Sequence, residues 1–342
     1  MAAVTSRRDI LKCLGTIPLA ARAAAARPDQ PQSPRQSVAP LVITSQNLQW
    51  APIEEAIDVA AATGYDGIAW CARPIAHIVP ETVEKELPRA VELTRKAGLA
   101  VPLLTLAAFD SKAPRLDVIL PTMKALGITA YRTPSQPWDL SKDIPPQIEV
   151  FKARIASLAE VNSRYGTTAH YHVHSYPGLM GGAVWDYWMM IKDMDPRYVA
   201  IHYDVGHATV RGGDWVVGSH LLGKKWMQSV SLHDFQWVHS PSRQFPGPWS
   251  PKWCVPGEGV VDTIGFFKFL KSIDFKGPFE FIMEYDLYTG RNNKPYNTLG
   301  QDNPGGNAYG KWKLEVPREQ FVGAMKRDVA YYKGQLREAQ LI

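Results

Sequence analysis

The chain has 342 residues, a formal net charge of +5, 45% hydrophobic and 21% charged residues. That length suits one large core, the even spread of Lys and Arg carries no nucleic-acid footprint, and no segment offers the ~18 uncharged apolar residues of a membrane span. Of the three cysteines, Cys13 lies near the N-terminus and Cys71 and Cys254 have no CxxC pair, so a zinc ribbon or thioredoxin-type site is not supported; two free thiols are expected, with a Cys71–Cys254 pair the alternative in an oxidising compartment.

In chain order, Ser6-Arg7-Arg8-Asp9-Ile10-Leu11-Lys12 and the apolar, Ala-rich run after it resemble a twin-arginine export signal over residues 1–26. The alternative there is a basic amphipathic helix. Residues 27–39 are rich in Pro and Gln and read as a disordered linker. Residues 40–342 then alternate strand and helix signals. Strands are expected at 41–45, 65–70, 101–107, 129–133, 168–174, 199–205, 230–235 and 279–284. Helices are expected at 53–63, 82–97, 116–126, 148–165, 185–194, 214–222, 263–273 and 318–336, several of them stopped by Gly64, Gly98, Gly127 and Gly166. Eight strands alternating with helices predict a parallel sheet closed as a single (β/α)8 TIM barrel. Residues 236–260, rich in Pro and Trp, and residues 288–313, rich in Gly, Asn and Pro, read as two long loops, the second lid-like.

The strands end in polar bursts, where such a barrel places its chemistry. Alternation groups His170, His172 and His174 on one face of the fifth strand, and His202 with Asp204 on the sixth. It groups Ser231 with His233 on the seventh, and Glu280 with Glu284 on the eighth. His172, His174, Asp204, His233 and Glu284 are therefore expected at one mouth, whereas His170 and His202, deeper along their strands, read as hydrogen-bonded structural groups. Imidazoles mixed with carboxylates suit Mn²⁺, Zn²⁺, Co²⁺ or Fe²⁺ better than Ca²⁺. Several of the 11 Trp (among them Trp185, Trp188, Trp215, Trp237, Trp249 and Trp253) fall in loops beside polar residues, where an aromatic face can stack on a sugar ring.

Six runs carry a resemblance. They are Cys71-Ala72-Arg73-Pro74 with His77, His172-Val173-His174-Ser175, Tyr203-Asp204-Val205-Gly206-His207-Ala208, Leu232-His233-Asp234-Phe235-Gln236-Trp237, Pro256-Gly257-Glu258-Gly259, and Met283-Glu284-Tyr285. Over residues 41–336 the chain resembles the sugar phosphate isomerase/epimerase superfamily of xylose-isomerase-like barrels, most closely its exported members with twin-arginine leaders. The resemblance implies a divalent metal (Mn, Zn, Co or Mg) held by acids and imidazoles from the fifth to eighth strands. Asp204 and Glu284 match that pattern. His172 falls where the superfamily has a Glu, the ligand His position falls on Ser231, and the Lys position falls on His233. A rebuilt site of His172, Asp204, His233 and Glu284 is one expectation, and a weak or lost metal is the other.

The implied reaction is isomerisation or epimerisation of a sugar by proton abstraction beside a carbonyl. Glu284, His172 and His174 are the candidate catalytic groups; Arg73, His77, Arg132 and His207 are expected to bind substrate, with Trp237 stacked on the ring. A periplasmic or otherwise exported protein would meet non-phosphorylated sugars or glycosides, so a carbohydrate is the expected partner; homo-oligomerisation stays open. Two other readings stand beside this one: a lyase that cleaves 3-keto-glycosides by β-elimination, and a metal-free sugar-binding barrel. DNA repair in the manner of endonuclease IV is set aside, because its larger set of metal ligands has no match.

Overall fold

A computed structural model describes residues 39–240, 245, 247–288, 294–301 and 303–342. The expected leader, and the linker up to residue 38, lie outside the described residues.

In chain order the elements are β1 (Leu41–Thr44), α1 (Ile53–Thr63), β2 (Gly67–Ala72), α2 (Val83–Lys96), β3 (Leu103–Leu106), α3 (Leu116–Ala125), β4 (Ala130–Thr133), α4 (Ile144–Tyr165), β5 (Thr168–His172), α5 (Trp185–Ile191) and β6 (Val199–Asp204). They continue through α6 (Val205–Gly212), α7 (Val216–Trp226), β7 (Met227–Leu232), β8 (Phe235–His239), β9 (Trp249–Trp253), α8 (Thr263–Ser272), β10 (Phe279–Phe281), β11 (Asp286–Tyr288), β12 (Pro295–Asn297) and α9 (Arg318–Glu338). Eight parallel strands close on themselves in the order β1-β10-β7-β6-β5-β4-β3-β2. The expected barrel is present, with β10 as its eighth strand.

Local chemistry sets the helix ends. Glu54 and Glu55 sit in the first turn of α1, where the helix dipole favours negative charge, and Gly64 ends it in the left-handed region at φ 90°. Alternation along the strands divides the core in two. Leu41, Ile43, Ile68, Trp70, Leu104 and Leu106 face the helices and join the main apolar cluster. Val42, Ala69 and Leu103 form a separate group with Ala130 against it, which fills one side of the lumen. The rest of the lumen is polar: Arg132, His170, His202, Ser229, Ser231 and Glu280 are all buried there.

Three expectations are corrected. The sixth strand stops at Asp204, and the next residue already begins α6, a helix absent from the sequence reading. The long loop at 236–260 holds most of an antiparallel hairpin of β8 and β9, and β11, which ends where the lid-like segment begins, pairs antiparallel with β12 inside it. The eighth strand pairs only through Phe281, because the side chain of Asn47 takes over the ladder: its Nδ2 donates to Met283 O at 2.8 Å and its Oδ1 accepts from Met283 N at 3.0 Å. Among the described residues, no helix is long and apolar enough to cross a membrane.

Candidate active site at the barrel mouth

Asp204 anchors the site. As the last residue of β6 and the N-cap of α6, it accepts the backbone N–H of His207 on Oδ1 at 2.9 Å. That turn swings His207 back over the strand end. Its Nε2 lies 4.0 Å from Asp204 Oδ2, while Ser175 Oγ sits 2.8 Å from its Nδ1. His172, at the end of β5, brings its Nε2 to 3.4 Å from the same Oδ2. His233, just past β7, holds that oxygen through Nδ1 at 2.7 Å and turns its Nε2 toward Glu284 Oε2 at 3.6 Å. Gly206 makes this closeness possible: a Cβ there would stand 2.5 Å from His233 Cβ and 3.0 Å from His233 O.

Glu284 follows β10 and takes a hydrogen bond from Tyr176 OH on Oε1 at 3.1 Å. His174 stacks on His207 with ring centres 4.1 Å apart, and Trp253 from β9 closes over His207 and His233 at 4.7 and 5.1 Å. These groups, Trp253 apart, line a cavity of about 330 Å³ together with Arg73, Arg132, Ser135, Leu299 and Gln301.

Burial holds the imidazoles of His172 and His207 well below the usual range and pulls His174 down to about 4, so all three are neutral. Burial alone would raise Asp204, but the charge of His233 and the hydrogen bonds from His172 and His233 hold it well below the usual carboxylate range. His233 is opposed by burial, yet Asp204 and then Glu284 outweigh it and raise its pKa. Glu284 is pushed up, chiefly by burial, against the pull of His233. The mouth thus sets an acid shifted down beside an imidazole and a carboxyl that are both shifted up.

Donor atoms of His172, Asp204 and His207 all lie within 4.8 Å of one another, the spacing a single cation needs. Two neutral imidazoles and an ionised carboxylate are the donor chemistry of a transition metal. The Ser175 contact on Nδ1 leaves His207 Nε2 to face the cation position, the usual outer-shell arrangement. The residues therefore fit a divalent metal. His172 and Asp204 belong to the expected ligand set; His207, expected on the substrate side, joins them in this group. His233 and Glu284 stand beside it, linked to each other.

The other sequence candidates separate. Arg73 lines the cavity and donates to Gln46 Oε1 at 2.8 Å. Arg132 reaches the cavity floor but is spoken for by buried Glu280, 3.2 Å from its Nε. His77 is buried under Tyr309 and holds Ala51 O at 2.9 Å, away from the cavity lining. Trp237 packs against Phe235 on the outer hairpin and does not line the cavity; Trp253, paired with Phe235 across the hairpin, takes the place over the imidazoles. Tyr176, Ser175 and Gln301 escaped the sequence reading. Cys71 and Cys254 are both free thiols.

A closed parallel barrel with an acid–imidazole cluster at the strand ends defines a class of enzyme scaffold. The chain belongs to the xylose isomerase-like TIM barrel family, whose profile matches residues 57–299. Among solved structures it is similar to D-psicose 3-epimerase from Clostridium cellulolyticum H10, determined with D-tagatose: 13% identity over 87% of this chain and 99% of that one, TM-score 0.62. The IolI protein with a bound zinc atom shares 13% identity over 88% of this chain and 97% of that one, TM-score 0.58. The probable 3-DHS dehydratase AsbF from Bacillus anthracis shares 13% over 71% of this chain and 92% of that one, TM-score 0.55. Likeness at these identities speaks to the fold alone. No curated protein sequence matches the chain.

Proposed function

We propose that the mouth catalyses proton abstraction beside a carbonyl of a non-phosphorylated sugar, as an isomerase or epimerase, with a divalent metal on His172, Asp204 and His207. The observation that carries this reading is the convergence of Glu284, whose pKa is raised, with His172 and His207 on one sugar-sized cavity, Asp204 lying buried within reach of both imidazoles. Bound there, the metal would supply Lewis-acid polarisation of the substrate oxygen. Glu284 moves the proton, with Tyr176 OH fixing its Oε1. His233 steadies Asp204 through Nδ1 and faces Glu284 with Nε2, so it shares the proton inventory of the site. His174 and Gln301 are placed to bind hydroxyls. The D-psicose and L-ribulose 3-epimerases of this fold lend the reading general support.

Charge supports a neutral substrate. No lysine is among the described lining residues, and Arg132 is neutralised by Glu280; Arg73 and His233, whose pKa is raised, stand against Glu284 and Asp204. Export through the leader at Ser6–Lys12 agrees with this, because free sugars rather than phosphorylated ones occur outside the cytosol. A second reading, β-elimination from a 3-keto-glycoside, is favoured by one feature. Glu284 is the one carboxylate among the described lining residues, where an epimerase that works from both faces of a carbon uses two acids.

The test is solvent exchange in D2O, followed by NMR, on ketoses and 3-keto-glycosides with added Mn²⁺, Co²⁺ or Zn²⁺. Glu284→Gln should lower the exchange rate by about 10²–10⁴ with the fold intact. Full exchange in that variant sinks the assignment. Release of an aglycone marks the lyase.

A further inference from the structure

A second cavity, of about 370 Å³, meets the first along three shared residues, Tyr176, Glu284 and Gln301. Its far walls come from the two hairpins outside the barrel: Val238, Ser250, Lys252 and Trp253 from β8 and β9, and Asn297 from β12. We propose that this compartment is a subsite for a second sugar unit, so that the substrate is a two-ring glycoside whose linkage crosses the threshold at Glu284. The inference rests on the proposed sugar chemistry of the first cavity.

The position of the threshold carries the argument. Glu284 faces both compartments, and Tyr176 OH holds one of its oxygens at 3.1 Å. A substituent on or next to the reacting carbon therefore has a direct path into the second space. A lone monosaccharide would leave that space to water.

The lining selects the kind of occupant. Tyr176, Phe245 and Trp253 offer aromatic faces, the surface that the apolar side of a pyranose prefers. Ser250, Asn297, Gln301 and the ammonium of Lys252 offer donors and acceptors for hydroxyls. Lys252 is tied to Tyr288, with Nζ 3.1 Å from the phenol oxygen and stacked over the ring, and Asp286 shares the same wall. The wall therefore presents no lone charge that would ask for a phosphate or carboxylate. An acyl chain fits poorly too, because polar atoms dominate the wall. Each compartment lies within the usual size range for one small ligand.

The test measures binding rather than turnover. The full chain is titrated with glucose, cellobiose, maltose, sucrose and trehalose, read by calorimetry. At least one disaccharide should bind about tenfold or more tightly than glucose. Val238→Trp fills the second compartment without touching the first and should erase that gain while glucose binding stays within about twofold. Lys252→Ala, an exposed change on the same wall, should weaken the disaccharide alone by about threefold or more, and it guards against a misfolded Val238→Trp. Equal affinity for glucose and every disaccharide overturns the subsite, as does an equal loss of both ligands in the two variants. Solvent exchange on ketoses and on the 3-keto derivatives of these disaccharides separates the two proposals. Exchange without disaccharide preference ends the subsite and leaves the chemistry standing; preference without exchange ends the chemistry and leaves the subsite.

Discussion

Glu280 is the place where a single atom change should cost most. It sits at the centre of β10, fully buried, with Oε2 3.2 Å from both Arg132 Nε and His202 Nε2. Burial pushes its pKa up, but Arg132 and then His202 overcome that and bring it from 4.5 to about 2. That shift corresponds to about 3 kcal/mol of stability at neutral pH. Glu280→Gln keeps the shape and leaves the Arg132 guanidinium buried without its counter-charge, a change that independently costs about 3–5 kcal/mol. Both routes lead to a loss of about 3–4 kcal/mol in urea unfolding at pH 7. The sign with pH is fixed. A carboxyl with a depressed folded-state pKa stabilises above about pH 4.5 and loses that contribution as pH falls toward 2, so the acid limb of the stability curve should be shallower in the variant. Pairing the change with Arg132→Met removes the stranded charge and should recover most of the loss. A single variant within about 1 kcal/mol of wild type would refute the account of the buried pair, as would superimposable acid limbs.

Other outcomes follow from the same geometry. Ser175→Ala removes the contact on His207 Nδ1 and should weaken transition-metal affinity by about 10–100-fold in a chelator competition, whereas unchanged affinity removes His207 from the ligand set. His172→Ala should lower metal content of the full chain, measured by elemental mass spectrometry. Gly206→Ala forces a methyl against His233 and should lower stability by about 1–3 kcal/mol; a neutral result would mean that the two strand ends separate freely. Asp328, buried and bonded to Tyr285 OH, is raised by burial from 3.8 to about 6. A raised acid stabilises below pH 3.8 and loses that contribution as pH rises through about 6. Asp328→Asn should therefore flatten the fall in stability between those values, which amounts to about 3 kcal/mol.

The barrel was legible because its signals are local and periodic. All eight barrel strands appear at the expected places, and α1 spans Ile53–Thr63 as its Gly64 stop implies. Asp204, His172 and Glu284 were found by alternation and strand-end position. His207 was assigned to substrate through the resemblance alone, and the structure sets it beside His172 and Asp204. Asp204 caps a helix, so the spacing that matters from there is that of a helical turn, and the Asp204-Val205-Gly206-His207 run contained that signal. The hairpins were hidden because Pro and Trp obscure a two-residue period between Phe235 and Trp253. Cross-strand pairing then decided which aromatic reached the site, and that pairing is a tertiary fact. Ser231, read as a missing ligand, is a buried lumen residue in register with Glu280 and Asp204.

The two hairpins form sheets of their own, apart from the barrel ladder. Their strands can lengthen, shorten or change side chains without disturbing the circuit of hydrogen bonds that closes the barrel. A lineage carrying this chain can therefore remodel the outer cavity one hairpin mutation at a time, while the acids and imidazoles below continue to be inherited intact.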